Sequence, residues 1–169
     1  MLTESTEETH PVTLDAPIIE YLDGPGDVSL VETYSRRDSG CVFPLPSFNV
    51  KPENATVVTR LLAGQGRCHI LLHGRSDTGK TEFARAAVRA AGRRTFFLQY
   101  GGKGTPADRQ LALIVAINTV AHQPDGVLVV DEADTFLGRH AGGLTDPTID
   151  KGWLNDFLDR SSVRVIWIA

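Results

Sequence analysis

Eight residues near the middle of the chain constrain it more than any other feature. Gly74-Arg75-Ser76-Asp77-Thr78-Gly79-Lys80-Thr81 satisfies the spacing G-x-x-x-x-G-K-[ST] at every position. A short apolar run, Cys68-His69-Ile70-Leu71-Leu72, precedes it, and an amphipathic helical pattern from about Thr81 to Ala91 follows. Strand, glycine-containing loop and helix form the arrangement that binding a phosphate chain requires. Glycines let the backbone curl until successive N–H groups converge on an anion. The helix beginning near Lys80 adds the positive end of its dipole. All eight residues are therefore candidates for phosphate binding. The ammonium of Lys80 is expected to reach the β- and γ-phosphates, and the hydroxyl of Thr81 to ligate Mg²⁺. Asp77 is the odd member, because a carboxylate beside a triphosphate repels it. Asp tolerates left-handed backbone better than most residues, which gives it a structural reason to be there.

A second motif follows about fifty residues after Lys80. Val127-Leu128-Val129-Val130-Asp131-Glu132-Ala133-Asp134 is an apolar strand that ends in carboxylates. Adjacent acids at the end of a buried strand are unfavourable unless a cation or a polar partner meets them. In a parallel sheet this end lies beside the phosphate loop, where ligands bind. Asp131 is thus expected to hold Mg²⁺ together with Thr81, and Glu132 to position and polarise an attacking water. Asp134 reads as the cap of the segment that follows.

The rest of the chain alternates in the same way. Asn54–Leu62 reads as a helix, with Val57, Val58, Leu61 and Leu62 on its apolar face, ended by Gly64 and Gly66. Further strands are expected at Thr95–Gln99, Gly126–Val130 and Val163–Ile168. Helices are expected at Pro106–Ala121, with Leu111, Ile114 and Val115 on one face, and at Trp153–Leu158, where Asp150 is a candidate cap. Alternation of this kind implies an α/β fold, a parallel sheet with helices on both faces. Ahead of it, Asp23-Gly24-Pro25-Gly26 between Ile18-Ile19 and Val28–Val31 suggests a small hairpin, and residues 35–49 read as a connection. The expected division is an N-terminal extension over 1–45, its first 16 residues polar enough to be disordered, and a core over 46–169.

Charge sharpens that division. Residues 1–35 hold eight acids and no Lys or Arg, leaving 13 acids against 17 bases in the remainder. An acidic leader on a mildly basic body can fold back on it or meet a basic partner. The overall net charge of −4 argues against a nucleic-acid footprint. The start of the chain lacks the basic and apolar regions of a secretory signal. No apolar stretch approaches the roughly 18 residues of a membrane span. Two cysteines, Cys41 and Cys68, make no disulfide framework and no zinc spacing. A cytoplasmic, reduced protein without membrane attachment is the expectation.

The pair Gly74–Thr81 and Val127–Asp134 resembles the AAA+ ATPases, and the resemblance runs from roughly Phe48 to Ala169. It implies a P-loop NTPase-type sheet, ATP and Mg²⁺ as cofactors, and hydrolysis of ATP to drive a conformational change in a protein client. Lys80, Thr81, Asp131 and Glu132 carry the family roles, with Lys80 and Glu132 catalytic and Thr81 and Asp131 on the metal. It also implies a homo-oligomeric ring for the full-length protein, in which a neighbour's arginine completes each site. The strand Val165-Ile166-Trp167-Ile168 would lead into a polar sensor residue just past Ala169. That sensor, the last core strand, the arginine finger and the helical lid would all lie further on, so the match reads as an incomplete AAA+ core. Gln99-Tyr100-Gly101-Gly102-Lys103-Gly104 falls where protein-threading members carry an aromatic-glycine pore loop, although a plain glycine-rich loop fits its short connection better. Gln99 is a candidate polar switch touching Glu132. Adenine contacts are expected around Val50–Leu62.

Two rival readings stand beside this one. The letters D-E-A-D at 131–134 invite a DNA-processing or helicase-like ATPase, with Arg85, Arg89 and Arg93 touching nucleic acid, yet those arginines read better as the solvated face of the helix opposite Phe83, Ala87 and Ala90. The other rival is an ATP-binding switch or inactive remnant that keeps the phosphate loop without efficient hydrolysis. His69 and His73 read as packed or solvated, Trp153 and Trp167 as core anchors. His10, His122 and His140 show no metal spacing, and Gly138–Gly143 reads as a mobile loop.

Overall fold

The computed structural model describes residues 30–40, 43–100, 106–137 and 151–169. In chain order the elements are α1 (Leu30–Tyr34), β1 (Ser35–Arg37), a 3-10 turn (Leu45–Ser47), α2 (Pro52–Ala63), β2 (Cys68–Leu72), α3 (Lys80–Ala90), β3 (Arg94–Leu98), α4 (Pro106–Ala121), β4 (Gly126–Val130), α5 (Asp134–Leu137), α6 (Lys151–Arg160) and β5 (Arg164–Ile168). The sheet runs β1-β3-β4-β5-β2. β2 to β5 are parallel to one another, and β1 adds an antiparallel edge on β3. This is the α/β architecture expected from the alternation, a mixed sheet of five mostly parallel strands.

The central strands explain why their sequences carry almost no polar residues. Every residue of β4 and β5 is buried, because helices cover both faces. Their alternation sends Leu128, Val130, Val165 and Trp167 to one side, against Leu113, Ile117 and Val120 of α4, Phe136 of α5 and Leu154 of α6. Val127, Val129, Ile166 and Ile168 go to the other side, against Leu62 of α2 and Phe83, Ala84, Ala87 and Val88 of α3. Gly126 opens β4 where nothing larger fits. A Cβ there would lie 2.8 Å from Val120 and 3.1 Å from the carbonyl of Gln123.

Several local expectations shift. Residues 30–34 form a helix instead of the second arm of a hairpin, and the turn at 23–26 lies outside the described residues. Residues 35–37, read as part of a connection, join the sheet, and Tyr34 beside them is fully buried. On α2 only Leu62 is buried, while Val57 and Leu61 are 55% and 49% exposed, because the helix lies over the sheet's edge strand and is covered on a narrow stripe only. On α4 the buried stripe is Leu113, Ala116, Ile117 and Val120, and the expected Leu111, Ile114 and Val115 flank it half-buried. Ala90 is exposed. Trp167 is a core anchor and Trp153 stacks on Phe157 at the core's margin. Asp150 and residues 138–143 lie outside the described residues. No helix among the described residues is long and apolar enough to cross a membrane.

Candidate functional site

The loop after β2 is fastened at both ends. The amide of Ala169 donates to the carbonyl of Leu72 (3.0 Å), and the amide of Gly74 donates back to Ala169 (3.3 Å), so the loop starts from the end of β5 as well as from β2. The loop then curls through two residues in the left-handed region, Asp77 (φ 61°) and Gly79 (φ 79°). Gly79 caps α3, and the ring of Phe48 lies 3.9 Å from where its Cβ would stand. The Thr78 hydroxyl closes the curl by donating to the carbonyl of Arg75 (2.8 Å). Lys80 opens α3, and its ammonium spans the loop, donating to the carbonyls of Gly74 (2.9 Å) and Arg75 (2.7 Å).

The second motif arrives from two strands away. β5 lies between β2 and β4, so Ile168 and Ala169 floor a gap whose walls are the phosphate loop and the end of β4. Across that gap the Thr81 hydroxyl donates to Asp131 Oδ2 at 2.8 Å. The other carboxylate oxygen of Asp131 accepts the Glu132 amide (3.0 Å). Glu132 sits at φ 54°, a conformation that turns the chain sharply off the strand. The Ala133 amide fixes this turn by donating to Ile168 (2.7 Å), and Asp134 falls in the first turn of α5. The resulting cleft, about 510 Å³, is lined by residues 76–82 on one side and by Asp131, Glu132 and Asp134 on the other.

A metal fits the donors present. Thr81 and Asp131 supply one hydroxyl and one carboxylate, hard oxygen ligands already within hydrogen-bond distance of each other. No group of three His, Cys, Asp or Glu among the described residues could enclose an ion. Mg²⁺ suits such a donor pair, since it is usually bound through one or two carboxylates together with substrate phosphates and water.

Beside the phosphate loop lies a second, more apolar cleft of about 730 Å³. Phe48, Val50, Val58, Leu72 and Phe83 line it, and it reaches Gly79 and Lys80. Phe48 meets Phe83 edge-on, with ring centroids 5.7 Å apart. Adenine contacts are expected from the sequence around Val50–Leu62, and Phe48, which also lines this cleft, lies just outside that range. Its signal was an aromatic residue immediately before the α2 pattern.

Other expected residues sit elsewhere. Arg85 is not on a solvated face. It pairs with Asp38 (3.2 Å) and Glu82 (2.8 Å), and its guanidinium lies over the Phe97 ring. Arg93 donates to the carbonyls of Leu62, Ala63, Gly64 and Pro124, and only Arg89 of the three is exposed. Tyr100 stacks on Phe136, and 101–105, the rest of the glycine-rich segment, lie outside the described residues. His69 is packed between Ser161 and Trp167. The Cys68 thiol, pushed above its ordinary pKa by burial, is a poor nucleophile.

A largely parallel sheet with a curled strand-to-helix loop facing the acidic end of a strand two places away is a P-loop NTPase-type core. Residues 70–169 match the ATPase family associated with various cellular activities (AAA), more than half of the chain. The chain belongs to this family. A search of curated proteins found no match.

Proposed function

We propose that this chain binds Mg-ATP in the two adjoining clefts and hydrolyses it slowly by itself. The observation that carries the reading is the 2.8 Å bond between Thr81 and Asp131, which joins the two halves of the site across the end of β5. The apolar cleft between Phe48 and Phe83 takes the adenine, and the loop amides of 74–79 take the phosphates. Lys80 exchanges its two carbonyl partners for phosphate oxygens, a stronger charge-assisted contact. Thr81 and Asp131 hold Mg²⁺, which when bound neutralises charge on the phosphate tail. Glu132 accepts a hydrogen bond from the attacking water and holds it in line with the γ-phosphate.

Slow turnover follows from charge. Among the described residues Lys80 is the one cation lining the phosphate cleft. A further cation on the transition state is worth about 10³–10⁵ in rate. We assign that cation to a neighbouring copy in a homo-oligomeric ring, with a protein as the client whose shape the cycle changes. The net charge of −4 supports a protein client over nucleic acid. Titration with a fluorescent ATP analogue tests the site. Lys80→Ala should weaken Mg²⁺-dependent binding by at least about 100-fold, and Glu132→Gln should keep binding while phosphate release stops. Turnover that survives Glu132→Gln removes Glu132 from the mechanism.

A further inference from the structure

Position 77 is where the phosphate loop's backbone and its charge are at odds. The left-handed turn at φ 61° suits glycine, and the loop uses glycine for the same purpose at Gly79, two residues later. Asp and Asn are the side-chain-bearing residues that enter this region most readily, so the turn alone is served equally well by a neutral residue. The residue present carries a carboxylate. Asp77 is exposed, and it lines the same cleft as Lys80, Thr81, Asp131 and Glu132.

The charges lining that cleft are mostly negative. Five carboxylates line it, those of Asp77, Glu82, Asp131, Glu132 and Asp134, against the single ammonium of Lys80. Three of them are engaged, Glu132 through an interaction of its own and two others in ways that spend their charge. Glu82 pairs with Arg85, and Asp131 accepts from the Thr81 hydroxyl and the Glu132 amide. Asp77 has no hydrogen bond or ion pair among the described residues. Its charge therefore acts on whatever enters the cradle two residues ahead of Gly79. A phosphate chain seated there meets a like charge on the wall of the same cleft, which water screens only in part.

We propose that Asp77 makes nucleotide exchange fast at this site. It repels the phosphate tail, shortens the life of the complex, and makes binding depend on a divalent cation that offsets the repulsion. The chain then follows the nucleotide present in solution and does not retain what it last bound. The inference rests on the proposed ATP site and adds how that site is regulated.

Stopped-flow release of a fluorescent ATP analogue from the full chain tests it, comparing the unchanged protein with Asp77→Asn, Asp77→Gly and Lys80→Ala. Asn keeps the shape and the left-handed tolerance and removes only the charge. Expected is release about tenfold slower for Asp77→Asn, with Asp77→Gly alike, the order of effect of one partly screened unit charge. The ratio to the unchanged protein should shrink as salt rises, because screening removes the repulsion. Asp77→Asn should also keep more of its affinity when Mg²⁺ is withdrawn. Binding by Asp77→Asn where the unchanged protein binds too weakly to detect supports the proposal as well. If Asp77→Gly slows release while Asp77→Asn does not, the effect is backbone strain and the proposal is overturned with the site intact. If all three release alike while Lys80→Ala fails to bind, the proposal also falls and the site stands. If neither the unchanged protein nor Asp77→Asn binds nucleotide, the site reading falls with it.

Discussion

The two ends of the sheet solve the same problem, turning the chain sharply between strand and helix, with different residues. At the amino ends of the strands the left-handed positions are Gly66 (φ 99°), before β2, and Gly92 (φ 69°), before β3. At the carboxyl ends, Gly79 apart, they are Asp77 and Glu132, the only residues other than glycine with positive φ among the described residues. Neither glycine at the amino end has anything within 4 Å of its absent Cβ, so backbone freedom alone selects them. The carboxyl end gives up that freedom to keep two carboxylates on the cleft. Strain accepted where a charge is wanted and relieved where it is not is the pattern expected of a functional edge opposite a structural one.

The amino end is also tied more tightly. Arg93 alone holds four carbonyls, three of them at the end of α2. Arg164 donates to Gly64, Arg67 to the carbonyl of Asp159, and Arg94 to Gln123 and Asp125. The tie is incomplete, since Arg164 Nε is buried with no partner. The carboxyl end has instead the Thr81–Asp131 bond and the Lys80 contacts, which nucleotide would displace or share in the proposed function.

The contrast is most open to attack at Arg93. Arg93→Ala frees the last carbonyls of α2, and stability should fall by about 3 kcal/mol, the scale of a charged donor shared among several acceptors. Affinity for nucleotide in the folded fraction should be unchanged. Urea denaturation and equilibrium binding measure the two. A large loss of affinity with small loss of stability would mean that the two ends are not separate in function.

A mirrored pair sharpens the comparison. Gly92→Ala puts a side chain at φ 69° and should lower stability by about 1–2 kcal/mol through strain alone, since no atom is there to clash. Glu132→Gly runs the other way. It releases the strain at φ 54° and should raise stability by about 1 kcal/mol, less than the strain itself because glycine gains freedom in the unfolded chain. The gain should come with loss of hydrolysis. If Glu132→Gly is destabilising, the strained turn is held by contacts of its own, and the proposed exchange of stability for function is wrong.

The sequence disclosed the four parallel strands and the loop because each carries a local signal, whereas β1, which carries none, was read as a connection. Five buried apolar residues before Asp131, and the Gly–Lys–Thr ending of the loop, need no partner in order to be read. What it concealed depends on partners far along the chain. Arg85, Arg89 and Arg93 recur as a solvated stripe would, but Asp38 comes to Arg85 from beyond β1 and the end of α2 comes to Arg93. Helical periodicity cannot report neighbours 30 or more residues away. Val57 and Leu61 misled for the converse reason. Their spacing is that of a buried face, and the edge position of β2 leaves that face partly uncovered. In the site, Thr81 and Asp131 were legible as a pair from motif chemistry, whereas Phe48 needed the cleft itself to be seen.

The smallest effect lies in acid. His69 of β2 sits in a directed chain of hydrogen bonds at the amino end. The Trp167 indole N–H can only donate, so it fixes His69 Nδ1 as an acceptor (3.3 Å). Nε2 then carries the proton and donates to Ser161 (2.9 Å), whose hydroxyl donates to Leu158 (3.1 Å). The ring must be neutral for the chain to exist. Burial lowers its pKa, the Leu158 carbonyl opposes, Arg67 lowers it further and Asp159 raises it. A histidine whose folded pKa lies below its unfolded value stabilises fully above the unfolded value, about 6.5, and loses that contribution as pH falls through it. The melting temperature should therefore decline between about pH 7 and 5, and His69→Gln should flatten that decline. Asp125 acts in a lower window. Its hydrogen bonds from Arg94 hold its carboxyl below the usual range, so its contribution is present above about pH 4 and is lost below it. That pair is exposed, and added salt should erase most of its effect while leaving the His69 step in place. A decline between pH 7 and 5 that persists in His69→Gln would place the titrating group elsewhere, and the amino end would then be a mechanical tie with no acid-sensitive bond in it.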